Sequence, residues 1–375
     1  MLNPPYYLQL MIGPGVPVPM PSEVMEALTA VEVTSNTDHA SLFTLTFSLS
    51  TRSRLNTLFL LLGGKQIPII RVVLMVIVRG MPNVLMDGVM TNYQMQPGDG
   101  GQSTLTITGE DLTKVMDYLP LDGLPYPAMP VNVRVMLMVA KYALFGIVPL
   151  AVPPLAFYAP SPFEEIKRQK GTDLQYIRTL AAEAGYEFYI DPGPLPLQSI
   201  AYWGPSIRVG VPQPALNFDM DAETNVESIH FTFDAEGASV PVVMVYPKQL
   251  KFGIPVPVPS FNPLAPPLAL IRPLPKWTEI ERDTTRKSVT EALMEGLSKA
   301  AKNEDAVTAD GSLDVARYGR VLKARRLVGV RGAGMAYDGL YFVKSVKHSI
   351  KRGEYKQNFS LVRNGLVSIT PRVPA

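Results

Sequence analysis

From Phe43 to Ser50 apolar and hydroxyl side chains alternate without interruption: Phe43, Leu45, Phe47 and Leu49 against Thr44, Thr46, Ser48 and Ser50. A period of two is the pattern of an extended strand with one buried face, because successive Cβ atoms of a strand point to opposite sides. The pattern does not stand alone. Ile67 to Val78 is a β-branched run broken mainly by Pro68 and Arg71, as expected of a strand covered on both faces. Val84 to Gln96 and Ser103 to Thr108 add further strands, the second with Leu105 and Ile107 turned inward between three threonines. Gly63-Gly64, Gly80 and Gly98 to Gly101 punctuate these runs as turns. Several short strands at this spacing predict a small sandwich or barrel.

At Gly109 the pattern changes. Asp111 is placed to cap a short helix carrying Leu112, Val115, Met116 and Leu119, and Val131 to Leu144 reads as a second helix with Arg134 and Lys141 on one side. Thr172-Asp173-Leu174-Gln175 has the form of a capping box, in which Thr172 bonds the amide of Gln175 and Gln175 reaches back. Leu174, Ile177, Leu180, Ala181 and Ala184 make the apolar stripe of that helix, Gly185 is placed to end it, and Tyr186 to Ile190 follows as a strand. This middle section is mixed α and β.

From about Gln198 strand patterning returns, clearest at Ile229, Phe231 and Phe233. Ile254 to Pro275 then places eight prolines in 22 residues among Val, Leu, Phe and Ile. Polar proline-rich segments are solvated spacers; this apolar one is expected to lie as an extended arm on its own chain or a neighbour. A helix is predicted from about Thr285 to Lys302, with Val289, Ala292, Leu293, Gly296, Leu297 and Ala300 on one face. The chain ends in a hairpin, Leu340 to Ile350 and Tyr355 to Arg363 around the turn at 351–354. Two β units of similar size point to a distant internal duplication, without a residue-level repeat.

Composition limits what such a chain does. Its 375 residues suffice for two or three domains. With 47% apolar and 18% charged residues it carries more apolar surface than one soluble chain hides, which predicts burial in a complex. No cysteine is present, so disulfides and thiolate metal sites are excluded and synthesis in a reducing compartment is compatible. Met1 to Met20 lacks a basic start and carries Pro14, Pro17 and Pro19, unlike a signal peptide. Tyr142 to Tyr158 is uncharged, but Pro149, Pro153 and Pro154 interrupt it and it is shorter than the roughly 20 residues a spanning helix needs. A buried or partner-covered segment is expected there, not a membrane insertion.

Reactive chemistry is hard to find. His39, His230 and His348 are far apart in sequence and have no cysteine partners, so no zinc site is expected. There is no Gly-x-Ser-x-Gly elbow and no His-Glu-x-x-His. Gly329 to Gly334 follows a basic strand and leads into Ala-Tyr-Asp-Gly instead of a helix, so it reads as a turn; Gly63-Gly64-Lys65 lacks the rest of a phosphate loop. Asp219, Asp221 and Glu223 would share one face of a strand and suit calcium, but without EF-hand spacing a solvated turn before Val226 to Asp234 is the simpler reading. Glu164 and Glu165 are adjacent and cannot face each other across a glycosidase cleft. No catalytic, cofactor-binding or metal residue is expected. The strongest polarity is basic: Arg317, Arg320, Lys323, Arg325, Arg326, Arg331, Lys344, Lys347, Lys351, Arg352 and Lys356 crowd the last sixty residues. Nucleic acid would use such charge. With a net charge of only +2 and strand alternation between these residues, a basic sheet face meeting an acidic protein neighbour fits better.

Three segments carry a family resemblance. Gly171 to Ile177 (GTDLQYI) and Ala184 to Tyr189 (AGYEFY) resemble the helix-to-strand segment of the phage late control protein D family, the central hub of contractile tails. Tyr337 to Val343 (YDGLYFV), His348 to Ile350 and Gly353 to Tyr355 resemble its terminal hairpin, and Gly109 to Leu112 resembles the close of its first β unit. The proline-rich, apolar style is most similar to hubs of extracellular contractile injection systems. The resemblance implies an α+β, mainly β fold. Its parts would be a first tube-like β-barrel (1–110), a mixed α/β section (111–197), a second barrel in two pieces (198–240 and 312–375) and a proline-rich arm with a helix (241–311).

The resemblance further implies a homotrimer made in the bacterial cytoplasm and built into a phage-tail-like particle. Three chains would present six β units to the inner tube and threefold symmetry to the spike. Because some relatives continue into a fused spike and this chain stops soon after its hairpin, the spike is expected to be a separate protein. The other partners would be baseplate components, without nucleic acid. The competing expectations are a tail hub of a phage virion, a glycoside hydrolase and a nucleic-acid-binding β protein.

Overall fold

The computed structural model describes residues 6–50, 69–98, 102–154, 166–236, 239–245, 254–257, 262, 264–274, 276–281, 305–370 and 373. The first third forms β1 (Tyr6–Pro14), β2 (Val18–Pro19), helix α1 (Ser22–Ala27), β3 (Leu28–Asn36), β4 (Leu42–Ser50), β5 (Ile70–Val78), β6 (Met81–Pro97) and β7 (Gln102–Asp111). Phe43, Leu45, Phe47 and Leu49 of β4 are all buried, as their alternation requires. β5 is buried along both faces and leads into β6 through Arg79-Gly80, both with positive φ, the backbone of a two-residue hairpin turn. Ile67, Pro68, the Gly63-Gly64 turn and the stretch from Asp99 to Gly101 lie outside the described residues.

β6 is the corner of this unit. Its first half pairs with β5, and from Gly88 onward its opposite edge pairs with β7. Two glycines permit the close approach. A Cβ on Gly88 would sit 2.2 Å from the Glu110 carbonyl oxygen, and one on Gly109 would meet the Phe43 ring and the Val89 carbonyl at 2.3 Å.

The middle section begins with a 3₁₀ turn, Leu112–Asp117, capped by the Asp111 carboxylate through the Thr113 amide. It continues through β8 (Pro125–Tyr126), α2 (Val131–Ala140), β9 (Ile147–Ala151), β10 (Lys167–Arg168), α3 (Asp173–Ala184), β11 (Glu187–Pro192) and β12 (Ser199–Gly204). α2 stops at Ala140, short of the expected Leu144, and the chain turns through Ala143–Phe145 to Gly146 in the left-handed conformation. α3 carries both halves of the predicted capping box and ends at Gly185, also left-handed. Leu112, Met116, Val135, Met138, Ile177 and Trp203 form the core of this section, joined by Val89 from β6. Asp173, fully buried, accepts hydrogen bonds from Lys141, Tyr142 and Gln169, so its charge is matched.

The remainder contains β13 (Gln213–Asn217), β14 (Ser228–Phe233), β15 (Ser239–Val245), β16 (Ile254–Pro257), β17 (Ala269–Ile271), β18 (Lys276–Glu281), β19 (Val307–Asp314), α4 (Val315–Tyr318), β20 (Leu327–Arg331), β21 (Gly339–Lys351), β22 (Glu354–Arg363) and β23 (Leu366–Ser368). The terminal hairpin forms as predicted, turning at Arg352-Gly353. The described parts of the proline-rich arm lie on their own chain: β16 pairs with β15, and β17 with β23. The helix expected at Thr285 to Lys302 lies outside the described residues. Two strands cross the expected divisions. β12 joins β9 and β11 instead of the later strands, and β19 starts at Val307, ahead of residue 312. Both are settled by long-range pairing, which local patterning does not encode.

The fold is α+β and mainly β, with a 13-stranded sheet as its largest element. Its path runs β14-β19-β22-β21-β3-β4-β7-β6-β5-β1-β2, with β20 and β13 branching from β21. Pairing among the described strands is an open path, not a closed ring. One strand order occurs twice in it. Ranked along the chain, β1, β3, β4, β5, β6, β7 and β13, β14, β19, β20, β21, β22 both pair in the order 2-3-6-5-4-1. All these neighbours are antiparallel except β13 with β20, where β1 with β5 is antiparallel. The bulges agree too, between Met90 and Asn92 in the β6–β7 ladder and between Val343 and Ser345 in the β21–β22 ladder.

Candidate functional site

The two β units meet at a strand pair. Ser345 to Lys351 of β21 run antiparallel to Asn36 to Ala30 of β3, so the sheet passes unbroken from one unit to the other. Val31 and Val33 of β3 and Val346 and Ile350 of β21 are buried there, within one apolar cluster drawn from both units, and His348 is buried beside them. His348 shares a 2.8 Å hydrogen bond with the Tyr355 hydroxyl, and Gln357 lies 3.3 Å from the same ring nitrogen. Burial, aided by the Lys323 charge, pushes the His348 pKa down to about 3 and holds the imidazole neutral. Outside this core, Lys347–Glu32 (3.0 Å) and Lys344–Asp38 (3.2 Å) bridge the seam. Arg325 ties all three parts together. It pairs with Asp191 of β11 at 2.6 Å, stacks over the Tyr189 ring at 4.2 Å and donates to the Asn36 carbonyl of β3.

Among the sheet edges left open in the described residues, two carry exposed apolar rows. The distal half of β6 pairs only with β7, and β14 pairs only with β19. Both present apolar side chains to solvent: Tyr93 and Met95 on β6 are 39% and 45% exposed, and Phe233 on β14 is 36% exposed. A bare strand edge of this kind is a template for another chain. The mixed section adds further apolar surface, with Val133, Met136 and Leu137 on α2, Leu144 after it, Val148 and Leu150 on β9 and Ile200 on β12 all exposed. The uncharged stretch expected to be buried or partner-covered is, up to Pro154, divided: Ile147 is buried and Tyr142, Phe145 and Ala151 pack on the middle-section core, whereas Leu144, Val148 and Leu150 face solvent. This surface is suited to docking.

The residues weighed for chemistry do not converge. His39 sits on the loop after β3, where Asp38, Asp111, Arg178 and Tyr189 help line a cavity of about 30 Å³, roomy enough for about one water. Burial raises the pKa of Asp111 despite hydrogen bonds from Thr113 and Ser41. His230 is exposed on β14, and His348 is interior. Asp219 and Asp221 lie in a turn with positive φ, and Glu223 closes a 3₁₀ turn, so the three carboxylates do not line a strand face. No group of three metal-binding side chains occurs among the described residues. Gly332 and Gly334 take positive φ after β20, and no helix follows. Gly63-Gly64-Lys65 and Glu164-Glu165 lie outside the described residues.

The basic cluster is corrected by the fold. The acids expected on a neighbour include several from this chain: Lys356 reaches Glu227 at 3.0 Å, Lys344 and Lys347 pair across the seam, and Arg325 pairs with Asp191. Arg331 donates to the Val373 carbonyl. These partners lie far off in sequence, so the clustered charge looked uncompensated. Sequence reasoning also passed over the two open edges. Their signal was present in the alternation of Tyr93, Met95 and Pro97, and of Ile229, Phe231 and Phe233, but an edge strand and a central strand read alike.

No protein-family model matches the chain, and no curated protein matches its sequence. Solved structures do match the fold. The tail protein from Neisseria meningitidis MC58 superposes with a TM-score of 0.62 at 14% identity, covering 96% of this chain and 98% of that one. The 43 kDa tail protein of prophage MuSo2 from Shewanella oneidensis gives 0.60 at 14% identity, with the same coverages. An E. coli component of the type VI secretion system, structurally similar to bacteriophage T4 tail proteins, gives 0.53 at 10% identity over 93% of this chain and 78% of that one. At such identities the likeness is one of fold, and the chain shares the fold of these tail proteins over most of its length.

Proposed function

We propose that this chain is a structural, non-enzymatic hub of a contractile injection baseplate: a homotrimer that adapts a sixfold inner tube to a threefold spike. The observation behind this reading is the strand order 2-3-6-5-4-1, present twice in one sheet. A chain with two like units gives a threefold ring six like positions, so a sixfold partner meets a near-matching surface. The likeness to phage and secretion-system tail proteins supports the same role, as does the exposed apolar surface of the mixed section. In this reading the tube-like units are the two strand sets, with the mixed section and the proline-rich arm packed outside them. Assembly places the particle in or released from the bacterial cell.

The test is the mass of the purified protein in solution, alone and with its tube subunit. Three chains per particle and a stable complex with the tube protein are expected. A lasting monomer that ignores the tube protein would refute the reading. Because two of the matched structures are tail proteins, one of them from a prophage, a tail hub of a phage virion is the second reading; genes for a capsid beside this one would favour it.

A further inference from the structure

The seam inside the chain is a template for one between chains. We propose that Asn92 to Pro97 of β6 pair antiparallel with Asp234 to Ile229, on β14, of a second copy of this chain. The proposal rests on the ring reading above and goes beyond it by naming the edge and the register.

On one edge of β21, β20 holds Gly339 to Phe342 and β3 takes Ser345 to Lys351. On the corresponding edge of β6, β5 holds Met81 to Val89, and beyond Thr91 that edge has no partner among the described residues. β14 holds the rank in its unit that β3 holds in the other, and it lacks the second neighbour that β3 has in β21. The open β6 edge and the open β14 edge are thus, strand for strand, what β21 and β3 are where they meet.

The ladders give the register. Matching the two bulges equates Thr91 with Lys344 and Asn92 with Ser345. Following the pairings outward through β7 and β4 in one unit, and through β22 and β19 in the other, equates Glu32 with His230. The observed partnership of Ser345 with Asn36 then becomes Asn92 with Asp234. Tyr93 falls opposite Phe233, Gln94 opposite Thr232, Met95 opposite Phe231, Gln96 opposite His230, and Pro97 opposite Ile229.

The chemistry agrees with this pairing. Val346, His348 and Ile350 are buried against Val31 and Val33 within the chain. Their counterparts Tyr93, Met95 and Pro97, and Ile229, Phe231 and Phe233, are the rows left partly or wholly open. Pairing them makes aromatic–aromatic and thioether–aromatic cross-strand contacts. Pro97, which has no amide proton, falls at the end of the ladder, where a donor is least needed. β14 also carries no lysine and no proline, two common guards against edge pairing. Because the two edges differ, the contact is head-to-tail, the type that closes into rings.

The absence of cysteine makes disulfide trapping clean. Gln94→Cys with Thr232→Cys, in the full chain, puts two exposed side chains opposite each other at cross-strand distance. Mild oxidation is expected to give covalent dimers and larger species that reductant reverses. Gln94→Cys with Phe233→Cys, one residue out of register and on the opposite face, is expected to give none. Thr34→Cys with Lys347→Cys, opposite each other in the internal seam, is expected to bridge within one chain and serves as the check on fold and oxidation.

Self-association with a formed 34–347 bridge but no 94–232 bridge overturns this seam and leaves the ring reading standing. That outcome includes the case in which another protein covers the edge. A chain that stays monomeric with its 34–347 bridge formed overturns both. Failure of the 34–347 bridge removes the template and overturns the proposal as well.

Discussion

Arg71 and Asp87 face each other across the β5–β6 hairpin as a two-pronged ion pair, Nε to Oδ1 at 2.7 Å and Nη2 to Oδ2 at 2.6 Å, with both side chains sealed from solvent. Ser199 of β12 adds a 3.2 Å hydrogen bond to Asp87, so the pair anchors the middle section to the corner of the first β unit. A buried pair is costly to desolvate, and removing one member strands the other charge. Asp87→Ala is expected to destabilise the protein by about 3–5 kcal/mol, and Ser199→Ala by about 1 kcal/mol. Denaturant midpoints of the two variants against the native chain check the ranking.

His348 predicts a slope of stability with pH. The folded chain keeps this imidazole neutral down to about pH 3, while the unfolded chain protonates it near 6.5. Protons therefore favour the unfolded chain, and the penalty grows as pH falls from about 6.5 towards 3, by up to ~1.4 kcal/mol per pH unit. In His348→Gln that contribution is absent. The stability gap between native protein and variant is expected to shift by about 2 kcal/mol in the variant's favour between pH 7 and pH 5, read by urea unfolding at each pH. An unchanged gap would mean the imidazole is not buried neutral.

Thr172 serves α3 twice, accepting from the Gln175 amide and donating to Asp117 at 2.7 Å. Thr172→Ala is expected to cost about 1–2 kcal/mol and Thr172→Ser much less. Thermal unfolding of the pair separates the loss of the hydroxyl from the loss of the methyl group.

Gly88 and Gly353 are glycines for different reasons. Gly88 has no room for a Cβ against the Glu110 carbonyl, whereas Gly353 has open space around it and only its φ of 78° to satisfy. Gly353→Ala is expected to cost about 1 kcal/mol. Gly88→Ala, which must push two strands apart, is expected to cost about 2 kcal/mol or more. Equal losses in chemical denaturation would contradict the close approach at the β6 corner.

Salt discriminates the two seams. Lys347–Glu32 and Lys344–Asp38 dress the internal one, whereas the facing rows proposed between chains hold a single carboxylate, Asp234. Self-association is therefore expected to change less than about threefold between 50 and 500 mM salt, in contrast to the steep loss that polyanion binding shows. Sedimentation across that range reads the effect, and a drop of several orders of magnitude would exclude a seam of this composition.

Much of the local structure was legible in the residues. The alternation of Phe43 to Ser50 became β4, Thr172 and Gln175 closed their capping box around α3, and Gly185 ended that helix in the left-handed conformation. Arg71 read as a break in a β-branched run, because its partner Asp87 sits on the next strand and nothing nearby announces it. The lysines of the last hairpin read as a charged face for a neighbour, because Glu32, Asp38 and Glu227 become near only when distant strands join.

The sequence determined which segments extend and which coil, and at Gly185 where a helix stops, since those choices depend on side-chain period, caps and φ within a few residues of one another. Only the tertiary structure decided which strands are neighbours: that β12 joins β9, that β3 continues into β21, and that one strand order occurs twice. The physical reason is that strand ladders are made of backbone hydrogen bonds, the same for every residue. Partner and register are selected by the fit of whole buried faces brought together across the chain, not by any single residue.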